Sequence, residues 1–358
     1  MHQLTRTVAV IEAGIERKLH LGVQVSLVLD GQVETLAVGE AEPGVALTSE
    51  MAIPWLSAGK PVTAVAIATL VNAGKISFDD VVSKYIAEFG QGGKEGITIG
   101  NLLTHTAGLS PVDVDWSTTS WDDIIRSISE QPAREGWTVG KDAGYDPVAS
   151  WFLLGDVIQR VSGRDLEMYL KEEIFEPVGM TGTSVRGSGE VDFAPLYDRV
   201  GGQMQVSPYT ARLAKDHVAP GSSLRGPAAD LARFYQHLLD ILDGHPGVIS
   251  HGTLNNVLSR HRGETFDQTL QHKVDYGYGF ILDSNQYGVE TVPYGFGRHA
   301  SEAAFGHGGS QSSMGFADPR YNLAAAVIAN GRAGEGQHQR RFRELLTALY
   351  EDLGLAGN

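Results

Sequence analysis

Strand-like patterning sits at the two ends of this 358-residue chain, with helix-like patterning between them, and that separation limits the possible folds more than any other feature. Near the N-terminus Val23, Val25, Leu27 and Leu29 alternate with small or polar residues. Asp30-Gly31 follows, and Val33, Thr35 and Ala37 resume the alternation. Two alternating runs joined by Asp-Gly predict a tight hairpin, because both turn residues must take positive φ. Near the C-terminus Tyr276, Tyr278, Phe280 and Leu282 alternate, as do Phe305, His307 and Gly309. Residues 314–317 precede a turn-like Asp318-Pro319-Arg320-Tyr321-Asn322, and 323–329 form an unbroken apolar run suited to a buried central strand. Between these ends, segments 99–103, 121–129, 151–162, 166–175 and 228–242 carry apolar residues at helical spacing. Val8, Ile11, Ile15 and Leu19 predict an opening amphipathic helix, and 337–353 a charged closing one.

The pattern implies an α/β fold in one domain, residues 1–358. Segments 1–74 and 265–358 build an antiparallel sheet flanked by the N- and C-terminal helices, while 75–264 forms a mostly helical lobe. A cleft between the two is the natural ligand site.

Composition narrows the function. With no cysteine, thiolate nucleophiles, disulfides and Cys-ligated metals are excluded. Lys and Arg number 28 against 43 Asp and Glu, a net charge of −15 with no basic run, which speaks against nucleic acid or an anionic membrane surface as partner. The longest apolar run, 62–71, is broken by Thr63 and Thr69 and is too short to span a bilayer. Residues 1–20 hold Glu12 and Glu16 and no signal-like apolar core, so a cytoplasmic enzyme is expected. There is no Walker or dinucleotide glycine spacing, no Gly-x-Ser-x-Gly elbow and no His-Glu-x-x-His. Neither cofactor nor metal is expected, and His105, His299 and His307 read as packing or supporting groups rather than ligands.

Three elements carry chemistry. In Ser57-Ala58-Gly59-Lys60 a hydroxyl and an amine are three residues apart at the start of a long apolar helix, so both face one side. Desolvation can bring the amine toward neutrality and let it take the serine proton. Tyr145 stands just before the helix near Trp151, where its hydroxyl can project into a cleft and, as a phenolate, act as a base beside lysine charge. In His307-Gly308-Gly309-Ser310 two glycines interrupt a strand, which suits close approach of a substrate, with the Ser310 N–H donating to an oxyanion.

In this order, Ser-x-x-Lys, Tyr and His-x-Gly resemble the serine β-lactamase and penicillin-binding protein superfamily, and most closely its class C-like branch of esterases, D-aminopeptidases and acyltransferases. Ile97-Thr98-Ile99-Gly100-Asn101-Leu102-Leu103-Thr104-His105-Thr106-Ala107-Gly108-Leu109 and Ile174-Phe175-Glu176-Pro177-Val178-Gly179-Met180 are similar to signatures of that branch. The resemblance implies an α/β sandwich with a helical lobe. It makes Ser57 the acylated nucleophile, Lys60 its proton acceptor and Tyr145 a proton shuttle. The backbone N–H groups of Ser57 and Ser310 become the oxyanion donors, and His307, Gly308, Gly309 and Asp146 line the substrate. Three departures stand out. Relatives read Tyr-Ser/Ala-Asn where this chain has Tyr145-Asp146-Pro147, so the side-chain amide is missing, and Asp146 adds negative charge beside the expected site. His307 replaces a lysine and is mostly neutral at pH 7 unless its pKa is raised. All three changes disfavour β-lactams and suit an ester or other activated acyl donor without a carboxylate. The expected function is a cofactor-free serine hydrolase or acyltransferase acting on a small ester or amide. The alternatives are a dedicated transacylase using an amine or alcohol acceptor, and a non-catalytic acyl-ligand binder.

Overall fold

The computed structural model describes residues 3–112 and 114–356; Met1, His2, Asp113, Gly357 and Asn358 lie outside the described residues. Helix α1 (Thr5–Glu16) leads into strands β1 (Gly22–Leu29), β2 (Gln32–Glu42) and β3 (Val45–Ala46). The hairpin forms as its turn residues require, with Asp30 at φ 49° and Gly31 at φ 75° and Leu29 paired to Gln32. The remaining strands of the same sheet come from the other end of the chain: β4 (Ile281–Leu282), β5 (Phe305–Gly309), β6 (Ser313–Asp318) and β7 (Leu323–Ala329). The seven-stranded order is β4-β5-β6-β7-β1-β2-β3, antiparallel throughout.

Strand β7 explains its own sequence. Leu323, Ala325, Val327 and Ala329 point into one apolar cluster, with Ile11 of α1 and Phe342, Leu345 and Leu349 of the closing helix. Ala324, Ala326 and Ile328 point into the other. A strand covered on both faces reads as continuously apolar. Helix α2 (Lys60–Asn72) is buried from Lys60 to Leu70, which is why it shows no polar face, and Gly74 at φ 67° ends it cheaply. Around α2 lie α3 (Ile99–Leu103), α4 (Trp121–Glu130) and α5 (Ala149–Ser162).

Three expectations change. Helix α6 (Ala228–Leu242) lies inside the segment expected to form the helical lobe, yet it packs on the sheet opposite the terminal helices; a Cβ on Gly315 of β6 would come within 2.5 Å of the Tyr235 ring. The middle also contains a hairpin, Tyr197–Val200 with Gln203–Val206. Finally, residues 276–282 alternate but are not one strand. Tyr276 pairs with Arg262, the chain turns so that Gly277 N–H bonds Phe280 O, and Gly279 takes φ 80°, so only Ile281–Leu282 joins the sheet. The closing helix is α7 (Glu335–Asp352). No helix among the described residues is long and apolar enough to cross a membrane.

Candidate active site

Ser57 lies on a single 3-10 turn, Leu56–Gly59, that runs directly into α2 at Lys60. With three residues per turn, positions i and i+3 stack, which brings the amine over the hydroxyl more closely than α-helical spacing does. Neighbours Trp55, Leu56, Ala58 and Gly59 are buried while Ser57 is partly exposed, so the serine is the point where this segment meets solvent. Leu56 holds φ 50°, a left-handed conformation that a non-glycine residue keeps only where its surroundings impose it. The segment is pinned by Trp55 N–H to Leu224 O at 2.9 Å, Trp55 Nε1–H to Gly226 O at 2.9 Å, and Ser313 Oγ–H to Trp55 O at 2.5 Å.

Lys60 is fully buried. Its Nζ lies 2.8 Å from Gly221 O, 3.0 Å from Pro147 O and 3.3 Å from Ser57 Oγ, and 4.9 Å from the centre of the Trp151 ring. Burial pulls the ammonium down to about 7, against a weaker upward pull from Asp146. In the neutral amine two N–H bonds satisfy the two carbonyls, and the lone pair is left for the serine proton. Pro147 therefore has a place in the site after all, through its carbonyl. Position 147 itself supplies no side-chain amide; the side-chain amides on the wall of the Ser57 cavity are those of Gln271 and Gln339.

Tyr145 O–H donates to Ser57 Oγ at 2.8 Å. Burial raises its pKa, and the negative fields of Asp146, Asp267 and Glu335 add to the rise against the Ser57 hydrogen bond. The phenolate that the sequence allowed is not favoured by these surroundings, which keep Tyr145 a neutral phenol and leave Lys60 as the candidate base. The Tyr145 backbone is held by Asp267, whose Oδ1 accepts from Tyr145 N–H at 3.0 Å and whose Oδ2 pairs with Arg262 at 3.1 Å. Both partners are buried. On the other side the Tyr145 ring packs 4.7 Å from the ring of His105.

Asp146 is a second correction. Its carboxylate accepts from the N–H groups of Val148, Ala149 and Ser150 and from Ser150 Oγ–H, at 2.7–3.0 Å. It caps α5 and borders a neighbouring apolar cavity of about 210 Å³ rather than the one containing Ser57. The Asp146 N–H donates to His105 Nδ1 at 3.0 Å, so the His105 ring carries its proton on Nε2.

Strand β5 closes the site. A Cβ on Gly309 would lie 2.2 Å from Trp55 O and 2.2 Å from Ser313 Oγ, and one on Gly308 would lie 2.2 Å from the Tyr294 ring. Both glycines are needed for close approach, and that approach sets Ser310 beside Ser57 on the wall of one cavity. His307 lines the same cavity but is buried. Desolvation, with help from Lys60, lowers it to about 3, and it lies 2.7 Å from Gly308 O through Nδ1. It contributes no positive charge. The cavity has a volume of about 610 Å³. Sequence reasoning missed Gly221, Arg262, Asp267, Tyr276 and Tyr294 at this site. Tyr276 lies in Tyr276-Gly277-Tyr278-Gly279, a stretch similar to one in the resembled family, but that likeness does not place it in the site; the other four carry no local signal, because each reaches the site from a distant part of the chain. Among the described residues no cluster of His, Cys, Asp and Glu could hold a metal ion.

An antiparallel α/β sandwich with a Ser-x-x-Lys turn and a tyrosine at its edge defines a serine-hydrolase class of protein. The chain belongs to the β-lactamase family, whose sequence profile matches residues 8–349. It is 26% identical to penicillin-binding protein 4 of Amycolatopsis lactamdurans over 92% of this chain and 85% of that one. It is 22% identical to esterase EstB of Burkholderia gladioli over 87% and 86%. Three relatives from Bacillus subtilis are longer, and the chain spans 56%, 64% and 52% of their lengths. The fold is also that of EstCE1, described as a hydrolase with promiscuous acyltransferase activity, with a TM-score of 0.81, 19% identity and coverage of 96% and 97%.

Proposed function

We propose that this enzyme cleaves small carboxylic esters through an acyl-enzyme on Ser57. The observation that carries the reading is the convergence on Ser57 Oγ of a neutral phenol at 2.8 Å and an amine of pKa about 7 at 3.3 Å. Lys60 accepts the Ser57 proton as Oγ bonds to the acyl carbon. The oxyanion is met by the backbone N–H groups of Ser57 and Ser310. As the ester C–O bond breaks, Tyr145 hands a proton to the departing alkoxide and is reprotonated from Lys60. Water then adds to the acyl-enzyme by the reverse relay, regenerating Ser57 and releasing the acid.

Esters are favoured over β-lactams for two reasons. Pro147 supplies no side-chain donor for an amide carbonyl, and the buried, neutral His307 offers no charge to a substrate carboxylate. The esterase relative points the same way. A second reading, transfer to an alcohol or amine acceptor, draws on the apolar wall formed by Leu56, Trp116, Ile281 and Pro293, which disfavours water in the site. A non-catalytic binder has no use for a buried lysine held against a serine.

The test is p-nitrophenyl ester hydrolysis and fluorophosphonate labelling of wild type and Ser57→Ala. Ser57→Ala is expected to abolish labelling; labelling that persists unchanged removes Ser57 from the reaction. Adding alcohols or amines and measuring product partition separates hydrolysis from transfer.

A further inference from the structure

The Ser57 cavity is lined without a single lysine or arginine among its described residues, and it has one carboxylate, Glu335 at the first turn of α7. That carboxylate is exposed to solvent and has two side-chain donors beside it. Tyr294 O–H lies 3.3 Å and 3.2 Å from its two oxygens, and Gln339 Nε2–H donates to Oε2 at 3.3 Å. Tyr294 itself is at φ 56°, and its ring occupies the space that Gly308 leaves open. Strand, tyrosine and carboxylate therefore form one connected wall. Glu335 is close enough for its field to be felt at the Tyr145 hydroxyl.

The other polar groups of the wall do not oppose this charge. His307 is buried and neutral, and its Nε2 has no hydrogen-bond partner. His272 has both ring nitrogens engaged, by Lys273 O and Thr291 Oγ1. Arg212 and Arg332 stack behind Trp116 and Tyr209, outside the lining, and are paired with Asp115 and Asp198. The cations nearest the chamber are Lys60, buried beside Ser57 at the opposite end from Glu335's wall, and Arg262, which stacks on Tyr276 but is paired with Asp267. Aromatic side chains and a carboxylate not paired with a cation favour a positive charge at the Glu335 end, and a net charge of −15 draws cations toward it.

We infer that the Glu335–Tyr294 wall is a cation subsite and that the enzyme's preferred acyl donors carry an ammonium group, protonated or quaternary. This rests on the esterase reading and names its substrate class.

Butyrylthiocholine and its uncharged carbon isostere, 3,3-dimethylbutyl thiobutyrate, share shape and reacting bond and differ in charge. For wild type, kcat/KM is expected to favour the cationic ester by about 10-fold. For Glu335→Gln the ratio is expected to fall to near one, and salt is expected to narrow the wild-type ratio. Choline binding to Ser57→Ala protein, measured by calorimetry, is expected to weaken when Glu335→Gln is added. A wild-type ratio near one, or a ratio and choline affinity indifferent to Glu335→Gln, overturns the subsite. If neither ester is cleaved and Ser57 resists fluorophosphonate, the esterase reading fails, and choline binding still decides the subsite.

Discussion

At Lys60 two requirements conflict. The base must be uncharged near neutral pH, and the only means here is loss of solvent on burial, which outweighs the Trp151 face and the two carbonyls that favour the ammonium. The working form is the free amine, so kcat/KM is expected to rise with pH to a plateau, with a midpoint of about 7, falling tenfold per unit below it. Lys60→Arg, which cannot deprotonate, is expected to lower kcat by about 10⁴-fold in a p-nitrophenyl ester assay. The same shift has a stability sign. The folded chain loses this proton at about 7 and an unfolded lysine near 10.5, so between those values the unfolded state binds more protons. The Lys60 contribution to stability therefore rises with pH through that window. Denaturant midpoints of wild type and Lys60→Met, compared between pH 7 and pH 10, check this: the wild type should gain on the variant as pH increases.

Elements decide where these groups meet. The approach of β5 to the Ser57 turn depends on glycine, so Gly309→Ala must push the strand or the turn aside. A stability loss of about 1–3 kcal/mol is expected. Ester hydrolysis should fall by about 10²-fold as Ser310 N–H leaves the oxyanion. At the other side of the site, Asp146 binds the first turn of α5. Asp146→Ala is expected to cost about 1–2 kcal/mol in thermal or urea unfolding, with little change in KM for a small ester. An equal loss in KM would restore Asp146 to substrate contact. The segment from Tyr276 to Leu282 shows the limit of local pattern. Alternation of Tyr276, Tyr278, Phe280 and Leu282 was compatible with β structure, but side chains buried by a turn among other loops produce the same alternation.

On the scale of the whole molecule, both chain ends build one sheet, and the middle packs against it through residues that belong to a shared core, among them Trp55, Trp151, Ala324 and Ile328. Tryptophan fluorescence and far-UV circular dichroism are therefore expected to give coincident unfolding midpoints. Breaking the Arg262–Asp267 pair should affect both stability and activity, since it is buried and Asp267 holds the Tyr145 backbone. Arg262→Met, which strands the carboxylate, is expected to cost about 3–5 kcal/mol. Asp267→Asn, which keeps the acceptor toward Tyr145 N–H, should retain more of the ester hydrolysis.

Read from residue order alone, the sheet with its hairpin turn, the long buried helix and the closeness of Ser57 to Lys60 were legible, while Tyr145 came forward through a family resemblance. The former rest on short-range physics: pleat alternation, positive φ at Asp-Gly, and a three-residue spacing that puts two side chains on one side of a turn. Tertiary structure alone decided the protonation states and the charge of the cavity. Those depend on which distant groups come near, such as Gly221 and Pro147 at the amine, Asp267 behind the tyrosine and Glu335 across the chamber. Electrostatic energy follows distance and burial, and neither can be read along the chain.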